Sequence, residues 1–250
     1  MPLSPNQGST GGGTSVTLTS TLPHALSTVS EVLFGSTPAT HVTYHPVTDT
    51  LTCTSPSGAG VVRVKAVRAN GQTSNGVPFY YIPAPVASIL SPASGPLTAG
   101  TTVTITGTAL GTTTAVSFGT NAATVTSKTD SQLVVTAPAG TAGAVSVSTT
   151  TTAGTFDGLA YTYVANPGTL TPSPTSGPTS GGTTVTITAT GNVATTSHVL
   201  LGTTSVPFSV TGTNTLAVVT PAHTLGAVNI SLTTAGGTST ATNAFTYTLL

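Results

Sequence analysis

The chain has 250 residues, of which 3% are charged, with four Lys/Arg balanced by four Asp/Glu, where about 25% charged is ordinary. So little positive charge excludes nucleic-acid binding, which needs Lys and Arg to neutralise phosphates, and docking on anionic membranes. Gly and Pro together reach about 18%, below the ~25–30% of structureless biased chains, so the composition predicts a globular fold.

The first landmark along the chain is Ser4-Pro5, followed by Gly13-Thr14 and an alternating run with Val16 and Leu18 apolar between threonines. Val32/Phe34, Leu51/Cys53 and Val62/Val64 repeat that alternation, and Phe79/Tyr81 closes the unit. A second copy then begins. It carries Ser91-Pro92, Gly100-Thr101, Val103/Ile105, Val116/Phe118, Leu133/Val135 and Val145/Val147, and closes on Tyr161/Tyr163. A third has Ser173-Pro174, Gly182-Thr183, Val185/Ile187, Val199/Leu201, Leu216/Val218 and Val228/Ile230, and closes on Phe245/Tyr247. A period of two marks half-buried strands, and self-similarity at a fixed spacing marks repeated units. The units are predicted at residues 1–83, 84–166 and 167–250.

Short strands between Gly/Pro/Asn turns, with no helical periodicity, predict an all-β chain of three tandem sandwiches. Threonine is β-branched and suits a pleated surface, so it covers the solvent side without charge. The joints Ile82-Pro83-Ala84-Pro85 and Val164-Ala165-Asn166-Pro167-Gly168 are short and proline-restricted. They predict an elongated, semi-rigid rod, with more bending at the second joint.

These residues resemble the IPT/TIG family of immunoglobulin-like domains. The resemblance rests on the opening Ser-Pro and on Ser94-Gly95-Pro96 followed by Gly100-Thr101-Thr102-Val103-Thr104-Ile105. The third copy carries Ser176-Gly177-Pro178 and Gly181-Gly182-Thr183-Thr184-Val185-Thr186-Ile187, and the first a looser Asn6-Gln7-Gly8 and Gly12-Gly13-Thr14. The resemblance implies immunoglobulin-like sandwiches over essentially the whole chain. Such domains occur in cell-surface receptors, bacterial adhesins, secreted enzymes, phage virion proteins and the dimerisation region of some transcription factors. It carries no shared catalytic residue.

The residues themselves predict no catalytic, cofactor or metal site. Gly11-Gly12-Gly13 and Gly181-Gly182 lead into strands with no following Lys, which makes them turns at positive φ rather than phosphate loops. Asp130 and Asp157 fall in turn-like stretches, and no loop holds the several carboxylates that calcium needs. Cys53 aligns with Val135 and Val218 and is expected in the core. His41 and His45 are four residues apart, but His24 sits in an unrelated loop, so solvated histidines are expected, as for His198 and His223. Tyr44 and Tyr80 are the candidate exposed aromatics for a sugar platform.

One asymmetry stands out, because the first unit holds five of the eight charges: Glu31, Asp49, Arg63, Lys65 and Arg68. Arg63 and Lys65 share one strand face, where the other units have Ser146/Ser148 and Asn229/Ser231. Arg63, Lys65 and Arg68 form the candidate docking patch, against the alternative of a solvated strand whose charges deter edge pairing.

A neutral surface lacks the repulsion that keeps molecules apart. The sequence therefore predicts a non-enzymatic structural or binding protein, part of a surface filament, coat or phage virion that works through protein contacts. Its partners are expected to be copies of itself or a larger assembly. The alternative is an extracellular adhesin-like module that binds glycans or a protein receptor. No apolar run is long enough to span a bilayer, and Met1 to Asn6 lacks the features of a secretory signal. The expected location is extracellular, at a cell surface or in a virion.

Overall fold

A computed structural model describes residues 1–249. Leu250, the last residue of the expected third unit, lies outside the described residues. The first copy folds into nine strands: β1 (Leu3–Ser4), β2 (Gln7–Ser9), β3 (Ser15–Thr19), β4 (Val29–Phe34), β5 (Thr37–Pro38), β6 (Thr40–His45), β7 (Thr50–Thr54), β8 (Gly60–Arg68) and β9 (Val77–Ile82). They form a four-stranded sheet, β1-β3-β7-β6, facing a five-stranded sheet, β2-β9-β8-β4-β5.

The second copy repeats this with β10 (Val86–Ser91), β11 (Ser94–Pro96), β12 (Thr102–Thr108), β13 (Thr113–Phe118), β14 (Asn121–Ala122), β15 (Thr124–Lys128), β16 (Gln132–Thr136), β17 (Gly143–Thr151) and β18 (Gly154–Val164). The third uses β19 (Leu170–Ser173), β20 (Ser176–Pro178), β21 (Thr184–Ala189), β22 (His198–Leu201), β23 (Thr204–Ser205), β24 (Phe208–Val210), β25 (Thr215–Val219), β26 (Gly226–Thr234) and β27 (Gly237–Thr248). Sheet order is the same in all three, and the peptide bond of each opening Ser-Pro landmark is cis. No helix among the described residues is long and apolar enough to cross a membrane.

Each sandwich has its own core. In the first, Val16, Leu18, Val32, Leu51 and Val64 are fully buried around Phe34, Phe79 and Tyr81. The second and third cores are separate clusters built from the equivalent residues of their own copies. Phe79 meets both Phe34 and Tyr81 edge to face, with centroids 5.0 and 5.1 Å away, a favoured aromatic geometry. Phe118, Tyr161 and Tyr163 repeat that cluster.

Threonine covers the sheets as the composition anticipates. Thr150 and Thr155, directly opposite across β17 and β18, share a hydrogen bond of 3.0 Å between hydroxyls. Thr233 and Thr238 do the same at 2.9 Å in the third copy. These neutral cross-strand pairs take the place that opposite charges hold on ordinary sheets.

The copies differ at one core landmark. Tyr81 and Tyr163 donate their hydroxyls to the carbonyls of Pro56 and Pro138 at 2.9 and 2.8 Å, and their rings lie flat over Gly58 and Gly140. His223 stands where those glycines stand and stacks on Tyr247 at 4.8 Å. The buried Tyr247 hydroxyl is left without a hydrogen-bond partner. Another expectation is corrected: Asp157 is not in a turn. It lies inside β18, where the register with β17 shifts between Val147 and Thr149.

Candidate binding face

The alternation of β8 settles which side chains point outward. Val64 and Ala66 are buried, so Val61, Arg63 and Lys65 project from the outer face of the five-stranded sheet. Register then decides their neighbours. Gln7, Tyr80 and Val61 lie side by side on β2, β9 and β8. Arg63 is opposite Pro78 and Lys65 is opposite Leu33. Tyr80 is 44% exposed and Val61 62%, so an aromatic ring, an aliphatic side chain and two cations share one surface.

Local geometry orients the guanidinium. Arg63 Nη1 donates to the Gly76 carbonyl at 2.9 Å. Its aliphatic stem packs against Gly76, where a Cβ would collide with it. Gly76 therefore lets the Arg63 stem lie flat, as long cationic side chains do on apolar surface. On β4, Glu31 projects to the same side as Leu33 and is half-buried.

The other copies show this surface with its chemistry removed. At the positions of Gln7, Tyr80, Val61, Arg63 and Lys65 the second sandwich has Ser94, Thr162, Ala144, Ser146 and Ser148. The third has Ser176, Thr246, Ala227, Asn229 and Ser231. At these five positions the same backbone thus carries aromatic and cationic side chains once and small uncharged ones twice.

Arg68 does not join this group. It ends β8 and lines a cavity at the pole of the sandwich with Leu22, Leu26 and Gln72. Of the three residues expected in one patch, only Arg63 and Lys65 share a face.

His24, His41 and His45 are exposed as expected, but one placement differs. His24 is not in an unrelated loop: its Nδ1 lies 3.3 Å from the Tyr44 hydroxyl, which donates to Asp49 Oδ1 at 2.9 Å. The second carboxylate oxygen of Asp49 accepts the His24 amide at 2.8 Å. Tyr44 is accordingly half-buried and tethered. Burial, then the Asp49 carboxylate, pushes its hydroxyl pKa up. Of the two candidate platform aromatics, Tyr80 remains. His41 and His45 contact Thr40 and Thr52 instead. No group of three metal-ligating side chains occurs among the described residues.

Cys53 is buried in the first core. Desolvation pushes its thiol from the usual 9.0 to about 11, so it stays neutral and unreactive near neutral pH. Sequence reasoning missed that register lines up Gln7 and Tyr80 with Val61, two residues along β8 from Arg63. The available signal was the alternation around the closing pair, which turns Tyr80 outward when Phe79 and Tyr81 turn in.

The profile described as IPT/TIG domain matches residues 1–81, 85–163 and 170–247. A search of curated proteins gave no match. Among solved structures, the plexin A4 full extracellular region is similar at 17% identity and a TM-score of 0.45, over 94% of this chain and 22% of that one. The SGBP-B of a Bacteroides ovatus mixed-linkage glucan utilization locus, in complex with a heptasaccharide, shares 15% identity at a TM-score of 0.29, over 98% and 65%. The I9–I11 tandem of titin shares 10% at 0.30, over 94% of each chain. The chain thus spans less than a quarter of the plexin chain and just under two thirds of the SGBP-B chain.

Proposed function

Because the chain belongs to the IPT/TIG domain family across all three sandwiches, we propose that it is a non-enzymatic binding and structural protein whose copies pack in an extracellular or surface assembly, such as a filament, coat or virion. Contact is made through the outer face of the first sandwich. One observation carries this reading: the aromatic and cationic residues of that face are replaced by small neutral ones at the equivalent positions of both other sandwiches.

The composition of the face supports protein contact, because Tyr and Arg are enriched among residues that dominate interfaces. Glu31, opposite Val67 and diagonal to Lys65, puts a negative charge on the same face as the two cations, so two copies can meet without like charges opposed. The second and third sandwiches, with three charged residues and none respectively, serve as spacers.

Replacing the face with the middle sandwich's own residues, as Arg63→Ser, Lys65→Ser and Tyr80→Thr together, tests this reading without a novel packing. Sedimentation velocity of the wild type is expected to show association rising with concentration. The triple variant is expected to associate at least ~10-fold more weakly, the loss of a hot-spot group. Identical behaviour of the two proteins removes the reading. A second reading, a glycan platform, rests on Tyr80 lying open beside Arg63. It predicts glycan-array binding that the same variant loses.

A further inference from the structure

The two joints between sandwiches are built differently. The second runs from Val164, the last residue of β18, to Leu170, the first of β19. Val164 still belongs to the second sandwich, because it pairs with Pro96 of β11. Yet its carbonyl and that of Ala165 lie against Gly236, in the β26–β27 turn of the third sandwich, and a Cβ there would strike both. Gly191, in the β21–β22 connection, faces the Asn166 and Pro167 carbonyls in the same way. Main chain thus rests on main chain at two turns, a close approach that the missing Cβ allows.

Asn166 closes the contact. Its Nδ2 donates to the Thr238 carbonyl at 3.1 Å. Its Oδ1 accepts from Ser239 Oγ and, at 2.8 Å, from Gly168 N. Gly191 N donates to the Pro167 carbonyl at 2.8 Å, and Thr190 N to the Thr169 carbonyl at 3.0 Å. Thr169 N returns a bond to Thr190 Oγ1 at 3.0 Å. Gly168, the residue that suggests a bending joint in the sequence, is therefore held: its amide is bonded, and the Thr190 hydroxyl fills the space of a side chain.

The first joint lacks this chemistry. Ile82, Pro83, Ala84 and Pro85 have no polar side chain, and the two prolines have no amide hydrogen to donate. Toward the first sandwich, the Ile82 carbonyl accepts the Thr10 amide at 3.1 Å. Toward the second, a Cβ on Gly154 would meet the Ala84 methyl only at 3.8 Å, ordinary van der Waals contact. Each joint buries one proline, Pro85 and Pro167, so the difference lies in backbone contact and polar ties. Ala153 stands where Gly236 stands. Each donates its amide to the hydroxyl of Thr151 or Thr234, at 3.2 and 3.1 Å, and that hydroxyl closes the turn on the Gly154 or Gly237 carbonyl.

We propose that the Asn166 and Gly236 contacts couple the second and third sandwiches into one rigid body, and that the chain bends at the first joint. Relative motion is the default between domains that no firm interface holds. A seam of main chain on main chain has no side-chain rotamers to absorb a rotation, and turning it breaks the Asn166 bonds. The first sandwich, with Tyr80, Arg63 and Lys65 on its outer face, is then a mobile head on a stiff stalk. The coupling stands apart from the assembly reading, because none of its residues lies on that face.

Double electron–electron resonance between nitroxides measures both joints in the full chain. Labels enter through Thr43→Cys with Ser127→Cys across the first joint, and Ser127→Cys with Ser209→Cys across the second. All three positions are exposed, whereas Cys53 is buried and stays unlabelled. Dilution with unlabelled chain removes distances between copies. The 127–209 distribution is expected to be about half as wide as the 43–127 distribution, the contrast between a tied joint and one joined by its linker alone. Gly236→Ala, a methyl that the matching turn already carries at Ala153, is expected to widen 127–209 to the width of 43–127. Asn166→Ala, at an exposed residue outside every core, is expected to widen it by a smaller amount. Both variants are expected to leave 43–127 and the amide protection of β19 to β27 unchanged, which separates a loosened joint from an unfolded sandwich. Equal widths across the two joints of the wild type overturn the proposal. So does a 127–209 width that Gly236→Ala and Asn166→Ala both leave unchanged.

Discussion

A chain carrying Phe118→Ala is expected to unfold its middle sandwich ahead of the other two, with that sandwich destabilised by about 3–5 kcal/mol, the usual loss for a buried Phe. Phe118 is 1% exposed and meets Tyr161 edge to face at 5.0 Å, so truncation removes packing that a small sandwich has no means to rebuild. The loss stays local because the second core holds residues of β10 to β18 and their connections alone. Amide hydrogen exchange resolved along the chain measures this: protection falls over β10 to β18 and is retained over β1 to β9 and β19 to β27. Equal loss in all three sandwiches would contradict independent cores.

The second large effect comes from two adjacent glycines of the third copy. Gly181 and Gly182 both have positive φ, +75° and +83°. A Cβ on Gly181 would strike the Pro221 carbonyl carbon and oxygen and the Thr220 carbonyl oxygen, whereas one on Gly182 meets nothing within 4 Å. Gly182→Ala therefore carries only the left-handed backbone penalty, about 1–2 kcal/mol. Gly181→Ala adds a collision with main chain that has no freedom to move aside, for a total of about 2–4 kcal/mol. Chemical denaturation of the two variants is expected to rank them in that order. Equal destabilisation would show that the β25–β26 connection yields to the added methyl.

Much of this architecture was legible in the sequence. Val16/Leu18, Val103/Ile105 and Val185/Ile187 alternate with threonines, and all six are fully buried. Their period of two is imposed by the pleat, which leaves a strand only one way to bury a face. Cys53 was placed in the core by its alignment with Val135 and Val218, and its burial follows from the same alternation. The turn glycines were readable because a left-handed backbone strongly favours glycine.

The candidate site was only half legible. Arg63 and Lys65 share a face because they are two residues apart on one strand. Arg68, five residues from Arg63, falls on the opposite parity at the strand's end and turns to the pole. Gln7 and Tyr80 were invisible as neighbours of Val61 because pairing between strands distant in sequence is a property of register. The tie between His24, Tyr44 and Asp49 was missed for a related reason. It joins the β3–β4 connection to the β6–β7 hairpin, and no periodicity of a single strand reports contact between two connections.

The 3% charge of the chain thus acquires a location. Two sandwiches present threonine, serine and asparagine where the first presents Tyr80, Arg63 and Lys65. Hydroxyl-radical footprinting of the full chain at low and high concentration tests most directly whether contact is confined to that face. The account predicts that Tyr80, Val61 and Leu33 become protected as concentration rises, while Val219 and Leu225, exposed on the third sandwich at 54% and 62%, keep their reactivity. Protection of Val219 and Leu225 with Tyr80 unchanged would contradict it.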